Sequence, residues 1–226
     1  MTAAEQTAVL LSLRVASVGA LASLPFAIAV AYLLARVRFP GRTVLDVAVH
    51  LPLVLPPVVT GWLLLIEFGR SGPLGAFLER AFGFTFAFRW TGAALAAAVM
   101  GFPLMVRAIR LSIEAVDRRL EQAAATLGAS RGRIFATITL PLALPGVFAG
   151  LILGFAKAIG EFGATITFVA NIPGETQTLA TLIYNTTQDP DGAPATWRLT
   201  AIAVVIAVVA LAASEGIARG FRASTR

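Results

Sequence analysis

Five apolar runs set the pattern of the chain, at residues 8–35, 44–66, 91–113, 141–165 and 199–218. A helix needs about 20 apolar residues to cross the hydrocarbon core of a bilayer. Each run is long enough for one span, and the polar stretches between them are too short for a soluble domain. The pattern therefore predicts an all-α, polytopic membrane helix bundle of about five transmembrane helices, one domain over residues 1–226. One polar stretch differs from the others. Residues 117–141 form an Arg-rich, helix-forming island between the third and fourth runs. Its Ala-rich part, Glu121 to Leu127, favours helix. Gly128 can end that helix in a left-handed cap, and Ser130 can cap a second helix running to Pro141. Such a helix–turn–helix between two spans is shaped as a handle for a soluble partner.

The second run contains Pro52, Pro56 and Pro57. Proline removes an amide donor and clashes with the preceding turn, so this span must kink or break. Broken backbone at membrane depth survives where it is buried in protein or lines a watery cavity. A kink for packing and a break at a transport pathway both fit the residues. His50, at the head of this proline-rich stretch, reads as a loop or interface residue rather than a ligand.

The fourth run carries Gly146, Gly150, Gly154 and Ala158 at four-residue spacing, a smooth face for close helix packing. Lys157 and Glu161 follow at i, i+4, share a face and can pair. Ionisable groups in a span usually face the bundle interior or water. A mutually neutralising pair and a role in a pathway both fit. Beyond this run, Asn171 to Gly174 reads as a turn, Glu175 to Thr187 as a short helix lying on the surface, and Asp189 to Gly192 as a second, mobile turn. Residues 67–90, with Gly69, Gly72, Pro73 and Gly75, read as an exposed loop.

Charge then orients the bundle. The chain is 58% apolar and 13% charged, with a net charge of +6, against about 25% charged residues in soluble domains. Twelve of its 18 basic residues fall in three regions: Arg36, Arg38 and Arg42; Arg107, Arg110, Arg118, Arg119, Arg131 and Arg133; and Arg219, Arg222 and Arg226. The positive-inside bias places these three regions in the cytoplasm, with the N-terminus outside and the C-terminus cytoplasmic. The start, Met1 to Thr7, has one acid and no base, which reads as an uncleaved first span.

Several chemistries are excluded. There is no cysteine, so there is no thiolate metal site or cysteine nucleophile. A phosphate-binding loop needs Gly-Lys before a Ser or Thr. The chain's one lysine, Lys157, follows Ala156, so the chain cannot hydrolyse ATP by that route. A single histidine excludes an HExxH zinc site. The basic stretch 118–133 lacks aromatic interleaving, so no nucleic-acid partner is expected, and its contact is protein or membrane lipid. A membrane-embedded enzyme or sensor without an energy-coupling partner remains the reading from another class.

Gln122-Ala123-Ala124, then Gly128, then Ile138-Thr139-Leu140-Pro141 resembles the cytoplasmic signature of permease subunits in bacterial ABC importers. That signature has Glu-Ala-Ala, three residues, Gly, nine residues and Ile-x-Leu-Pro. One position departs from it: the usual Glu is Gln122, and the acid stands one place earlier at Glu121. The segments 50–57, 102–110, 160–168 and 171–178 are similar to those of molybdate permeases, and the related sulfate permeases look similar around Gly160 to Gly163.

The resemblance implies a type I ABC importer permease fold in the bacterial cytoplasmic (inner) membrane. It implies a homodimeric channel, two cytoplasmic ATPase subunits and a periplasmic oxyanion-binding protein. The alternatives within the class are tungstate and sulfate permeases. No cofactor belongs to this chain; ATP and Mg belong to the partner ATPase. The residues that would meet the ATPase are Glu121, Gln122, Ala123, Ala124, Leu127, Gly128, Ala129 and Ser130. The pathway or gate would involve Pro52, Pro56, Pro57, Lys157, Glu161, Gly163, Thr165 and Thr167. The Lys157–Glu161 pair would hold the outer gate, and the threonines would give polar footing to a passing dianion.

Overall fold

The computed structural model describes residues 1–224, and Arg226 of the basic tail lies outside the described residues. Among the described residues the fold is helical throughout, with four helices long and apolar enough to span a membrane and a fifth span if one sharply bent pair is counted. The helices are α1 (Ala3–Arg36), α2 (Arg42–Val54), α3 (Pro57–Phe68), α4 (Pro73–Phe82), α5 (Trp90–Ala115), α6 (Arg118–Thr126), α7 (Arg131–Ile134), α8 (Leu140–Ile159), α9 (Gly163–Val169), α10 (Leu179–Gln188) and α11 (Ala193–Ser224).

The first helix starts earlier than its apolar run because Thr2 and Glu5 form a reciprocal capping box, which satisfies two orphan backbone donors. Glu5 is buried there and also takes both an Nε–H bond at 3.2 Å and an Nη2–H bond from Arg198 at the start of α11. The N-terminal ends of α1 and α11 therefore lie together.

Helix α5 is the centre of the bundle. It runs parallel to α1: Gly19 faces Ala94 and Ala98, Ser23 meets Met105, and Arg36 reaches Val116. It runs antiparallel to α8: Gly146 faces Ser112 and Ala108, Gly150 faces Met105 and Ile109, and Gly154 faces Gly101 and Met105. The small-residue stripe read from the sequence is the α5–α8 seam. Lipid is as apolar as leucine, so dispersion contacts rather than water exclusion hold these helices, and small residues bring the backbones close. On α1, Ala16, Ala20, Ala27 and Ala31 do the same and are buried.

Of the two forms expected of the second run, a kink or a break, the structure has the break: two helices bent by 115° at Leu55–Pro56. Pro57 opens α3 at its first turn, where its missing donor costs nothing. Pro52 is carried inside α2 and does not mark the break. The fourth run ends at Ile159, not at residue 165; Gly160 to Phe162 leave the helix and α9 starts afresh. The loop 67–90 holds α4, started by Pro73 and ended by Gly83 at φ +62.

The second helix of the polar island does not stop at Pro141 either. Ser130 caps α7, which passes through a π-helical turn, Phe135–Thr139, into α8. Leu140 N–H bonds back to Phe135, five residues earlier. The ladder has already skipped a step where Pro141 enters, so the proline is accommodated without ending the helix.

The surface helix expected from Glu175 begins later, at Leu179, behind a Thr178 cap. Its first turn is buried rather than lying on the surface: Leu179 N–H donates to Ser12 Oγ at 2.6 Å. Asn171 to Gly174 does turn, with Gly174 at φ +79. Asp189 to Gly192 closes tightly, Gly192 N–H reaching Asp189 O at 3.0 Å.

The α5–α8 seam makes a direct prediction. A Cβ on Gly146 would sit 2.1 Å from Ser112 Cβ. Gly146→Val should lower stability by about 1–3 kcal/mol, the usual range for overpacking. Thermal unfolding in detergent measures this, and an unchanged melting temperature contradicts the seam.

Candidate functional site

Two places combine the residues singled out in the sequence: the polar island, and a junction where two broken spans meet.

The island is built by its caps. Asp117 Oδ1 accepts from Arg119 N–H at 2.9 Å and starts α6. Gly128 ends it at φ +81, a conformation that glycine adopts without steric cost. Ser130 Oγ accepts from Arg133 N–H at 3.4 Å and starts α7. Gln122, Ala123, Gly128 and Ser130 are exposed, while Ala124 and Ala129 are half-buried. Leu127 is 88% exposed and Leu120 is 49% exposed. Leu127 thus stands bare at the tip of the polar island.

Glu121 does something else. Its Oε1 pairs with Arg36 Nε at 3.1 Å and accepts from Thr139 Oγ1 at 2.7 Å. Arg36 also donates to Val116 O at 2.9 Å, and Arg118 reaches Ala35 O at 3.5 Å. The acid therefore ties α6 inward, to the end of α1 and to the π-helical turn. In the sequence Arg36 stands out only as part of the basic bias. It lies 85 residues from Glu121, and no spacing rule links positions so far apart.

At the other place, α9 packs on α3 through contacts that leave no room for larger side chains. A Cβ on Gly163 would lie 2.8 Å from Pro57 Cβ, and one on Gly61 would lie 2.5 Å from Ala164 O. The break at Leu55–Pro56 and the break at Gly160–Phe162 thus face one another. Glu161 spans the second break: Oε2 bonds Lys157 Nζ at 2.7 Å, and Oε1 accepts from Ala164 N–H at 3.0 Å. The carboxylate is buried, and its ammonium partner is about one-third exposed. Paired and hydrogen-bonded on both oxygens, this charge is compensated in a low-dielectric setting.

Thr165 is buried, and Thr167 donates its hydroxyl to Gly163 O at 2.8 Å. Both belong to the packing of α9 in this conformation. Thr60, on the face of α3 that meets α9, has a buried hydroxyl with no partner among the described residues. His50 Nδ1 lies 2.8 Å from Asp46 O, and Asp46 in turn pairs with Arg110 at 3.1 Å. His50 therefore pairs within α2, and it is Asp46 that bridges α2 to α5.

The chain was compared with known proteins. Residues 23–223 match the family model described as binding-protein-dependent transport system inner membrane component. The molybdenum transport system permease protein ModB of Escherichia coli strain K12 is 58% identical over 219 residues, 97% of this chain and 96% of the relative. The ModB of Haemophilus influenzae is 55% identical over 215 residues, 95% of this chain and 94% of the relative. Among solved structures, a bacterial alginate ABC transporter in complex with an alginate pentasaccharide-bound periplasmic protein superposes with a TM-score of 0.72 at 19% identity, covering 100% of this chain and 81% of that one. The matched family and the helical fold agree, and this chain belongs to the inner-membrane components of binding-protein-dependent transport systems.

Proposed function

We propose that this chain is the membrane-spanning permease of an ATP-driven importer that carries molybdate across the cytoplasmic membrane. The observation that carries the reading is the likeness to molybdenum permeases over nearly the whole chain, at 58% identity. In this reading the N-terminal ends of α1, α5 and α11 face outside, and the island 117–141 faces the cytoplasm with the C-terminus. Two copies form the channel. Two ATPase subunits supply ATP and Mg and cover the exposed tip around Leu127, and a periplasmic oxyanion-binding protein delivers the anion.

The geometry supports a mechanism. ATP binding draws the two handles together, and the spans pass from inward-open to outward-open. Through Glu121 the handle is joined to α1 and to the π-helical turn ahead of α8. A push on α6 thus reaches two spans rather than bending a loop. The facing breaks at Pro56–Pro57 and Gly160–Gly163 are the deformable point, and the Lys157–Glu161 pair fixes α9 there. A dianion is costly to strip of water. The route therefore needs water and polar footing rather than a tight site, and selectivity rests with the delivery protein.

The transport reading is tested with the assembled complex in vesicles. ATP-dependent uptake of labelled molybdate, outcompeted by molybdate and tungstate more strongly than by sulfate, is the expected result. Preference for sulfate would transfer the assignment to a sulfate permease, and failure of any ATPase to copurify would point to a membrane enzyme or sensor.

Gly128→Val places a β-branched residue at positive φ, a cost of about 1–2 kcal/mol in this region. It should leave membrane insertion intact and lower uptake per ATP hydrolysed; normal coupling would contradict the handle. For the anchor, Glu121→Arg and Arg36→Glu should each reduce uptake relative to ATP hydrolysis, and the double exchange should restore most of it. Additive losses in the double variant would show that the pair does not transmit.

A further inference from the structure

Five basic side chains lie within α1, α5 and α8, and four of them are answered inside the chain. Arg14 lies over the Trp90 ring at 3.8 Å. Arg36 holds Glu121. Arg110 holds Asp46 at 3.1 Å and Glu114 at 2.9 Å. Lys157 holds Glu161. Arg107 is exposed and makes no hydrogen bond or ion pair among the described residues. The charge pattern had placed it with the loop arginines. The structure puts it inside α5, eight residues before Ala115, roughly 12 Å from the end of the helix at 1.5 Å per residue.

Its neighbours along the helix show where it faces. Met100, Leu104, Arg107 and Leu111 follow one another at four- and three-residue steps and share a stripe. Met100 is buried in the same core cluster as Ala164, Phe168 and Val169 of α9. Leu104 is half-buried, and Leu111 is 60% exposed. The stripe is thus buried in the core at Met100 and open by Leu111. Arg107 is the charged position on that stripe, between its buried and its open end. A charged side chain in a span is costly against lipid, and such groups usually face a water-filled cavity. Unlike a lysine, an arginine presents a planar fork of N–H donors suited to the paired oxygens of an oxyanion.

We propose that the Arg107 guanidinium is an anion-contact point on the cytoplasmic side of α9, touched by a tetrahedral oxyanion dianion after it passes the facing breaks. This rests on the transport reading above. The contact lowers the barrier to crossing the inner half of the membrane without forming a tight site, because one guanidinium cannot replace the full hydration of a dianion.

The test uses the complete complex, with its ATPase and delivery protein, in vesicles. Arg107→Gln should lower the uptake turnover about tenfold, the loss of one charge-assisted hydrogen bond. The half-saturating concentration of loaded delivery protein, and its stimulation of ATP hydrolysis, should stay unchanged. Arg107→Lys should recover most of the turnover. Because the chain has no cysteine, Arg107→Cys can be labelled alone on this chain. Reaction with aminoethyl methanethiosulfonate should restore a cation and with it uptake, whereas the sulfonatoethyl reagent should not.

Unchanged turnover in Arg107→Gln overturns the proposal, as expected if the side chain only reaches toward headgroups. Labelling by the cationic reagent without recovery also overturns it. A wild-type complex that moves no oxyanion in the same assay sinks the transport reading, and this inference with it.

Discussion

Inside a bilayer every backbone amide and carbonyl must find a partner within the protein, because no water is there to serve. An unbroken helix meets that demand alone; this chain breaks two of its spans. The breaks are sustained because they are pressed together. Pro57 stands against Gly163, and Gly61 stands against the carbonyl of Ala164, all at distances where a larger residue would not fit. Pro57 has no amide to satisfy. One of the freed amides at the other break, that of Ala164, is taken by the Glu161 carboxylate. The carboxylate is in turn neutralised by Lys157. The charged pair and the proline pair are thus two halves of one solution to a single constraint, and the rest of the bundle is arranged to hold them in register.

Holding them requires a rigid frame, which the small residues supply. Along α5 the neighbouring backbones approach through Gly19 on one side and through Gly146, Gly150 and Gly154 on the other. Close approach maximises dispersion contact where water exclusion contributes little. It also leaves such a seam only a few ways to move. The weak points are therefore concentrated where the ladder is already irregular: the two breaks and the π-helical turn at Phe135–Thr139. The breaks lie in the body of the bundle, and the π-helical turn lies beside the polar island.

Much of this was legible in the sequence because it depends on local rules. Hydropathy located the apolar runs, three prolines announced the first break, Gly128 announced a left-handed cap, and the i, i+4 spacing paired Lys157 with Glu161. The misses have a common cause. The end of α8 at Ile159 is missed by hydropathy because the apolar residues resume at once, at Phe162 and again between Ala164 and Val169. The π-helical turn at Phe135–Thr139 has no sequence motif that announces it. Arg107 sits among other arginines in the sequence, and only the burial of its helix stripe separates it from them. The Arg36–Glu121 contact joins residues 85 positions apart, beyond the reach of any periodicity.

That contact also explains the one position where the island departs from its family's pattern. Successive residues of an α-helix point about 100° apart, since 3.6 residues make a turn. Moving an acid by one place therefore moves it from one face to another. At position 122 the side chain is exposed, on the surface available to a partner; at position 121 it is turned inward, with a side chain 18% exposed. An acid at 122 could bond the partner, whereas the acid at 121 bonds Arg36 and Thr139. The displacement puts the acid where it anchors α6 within the chain. What remains exposed around it is Gln122, small alanines, a bare Leu127 and the arginines Arg119, Arg131 and Arg133. The acid at 121 is thus spent on holding α6 to α1 and to the π-helical turn, and the exposed charge among these residues is all basic.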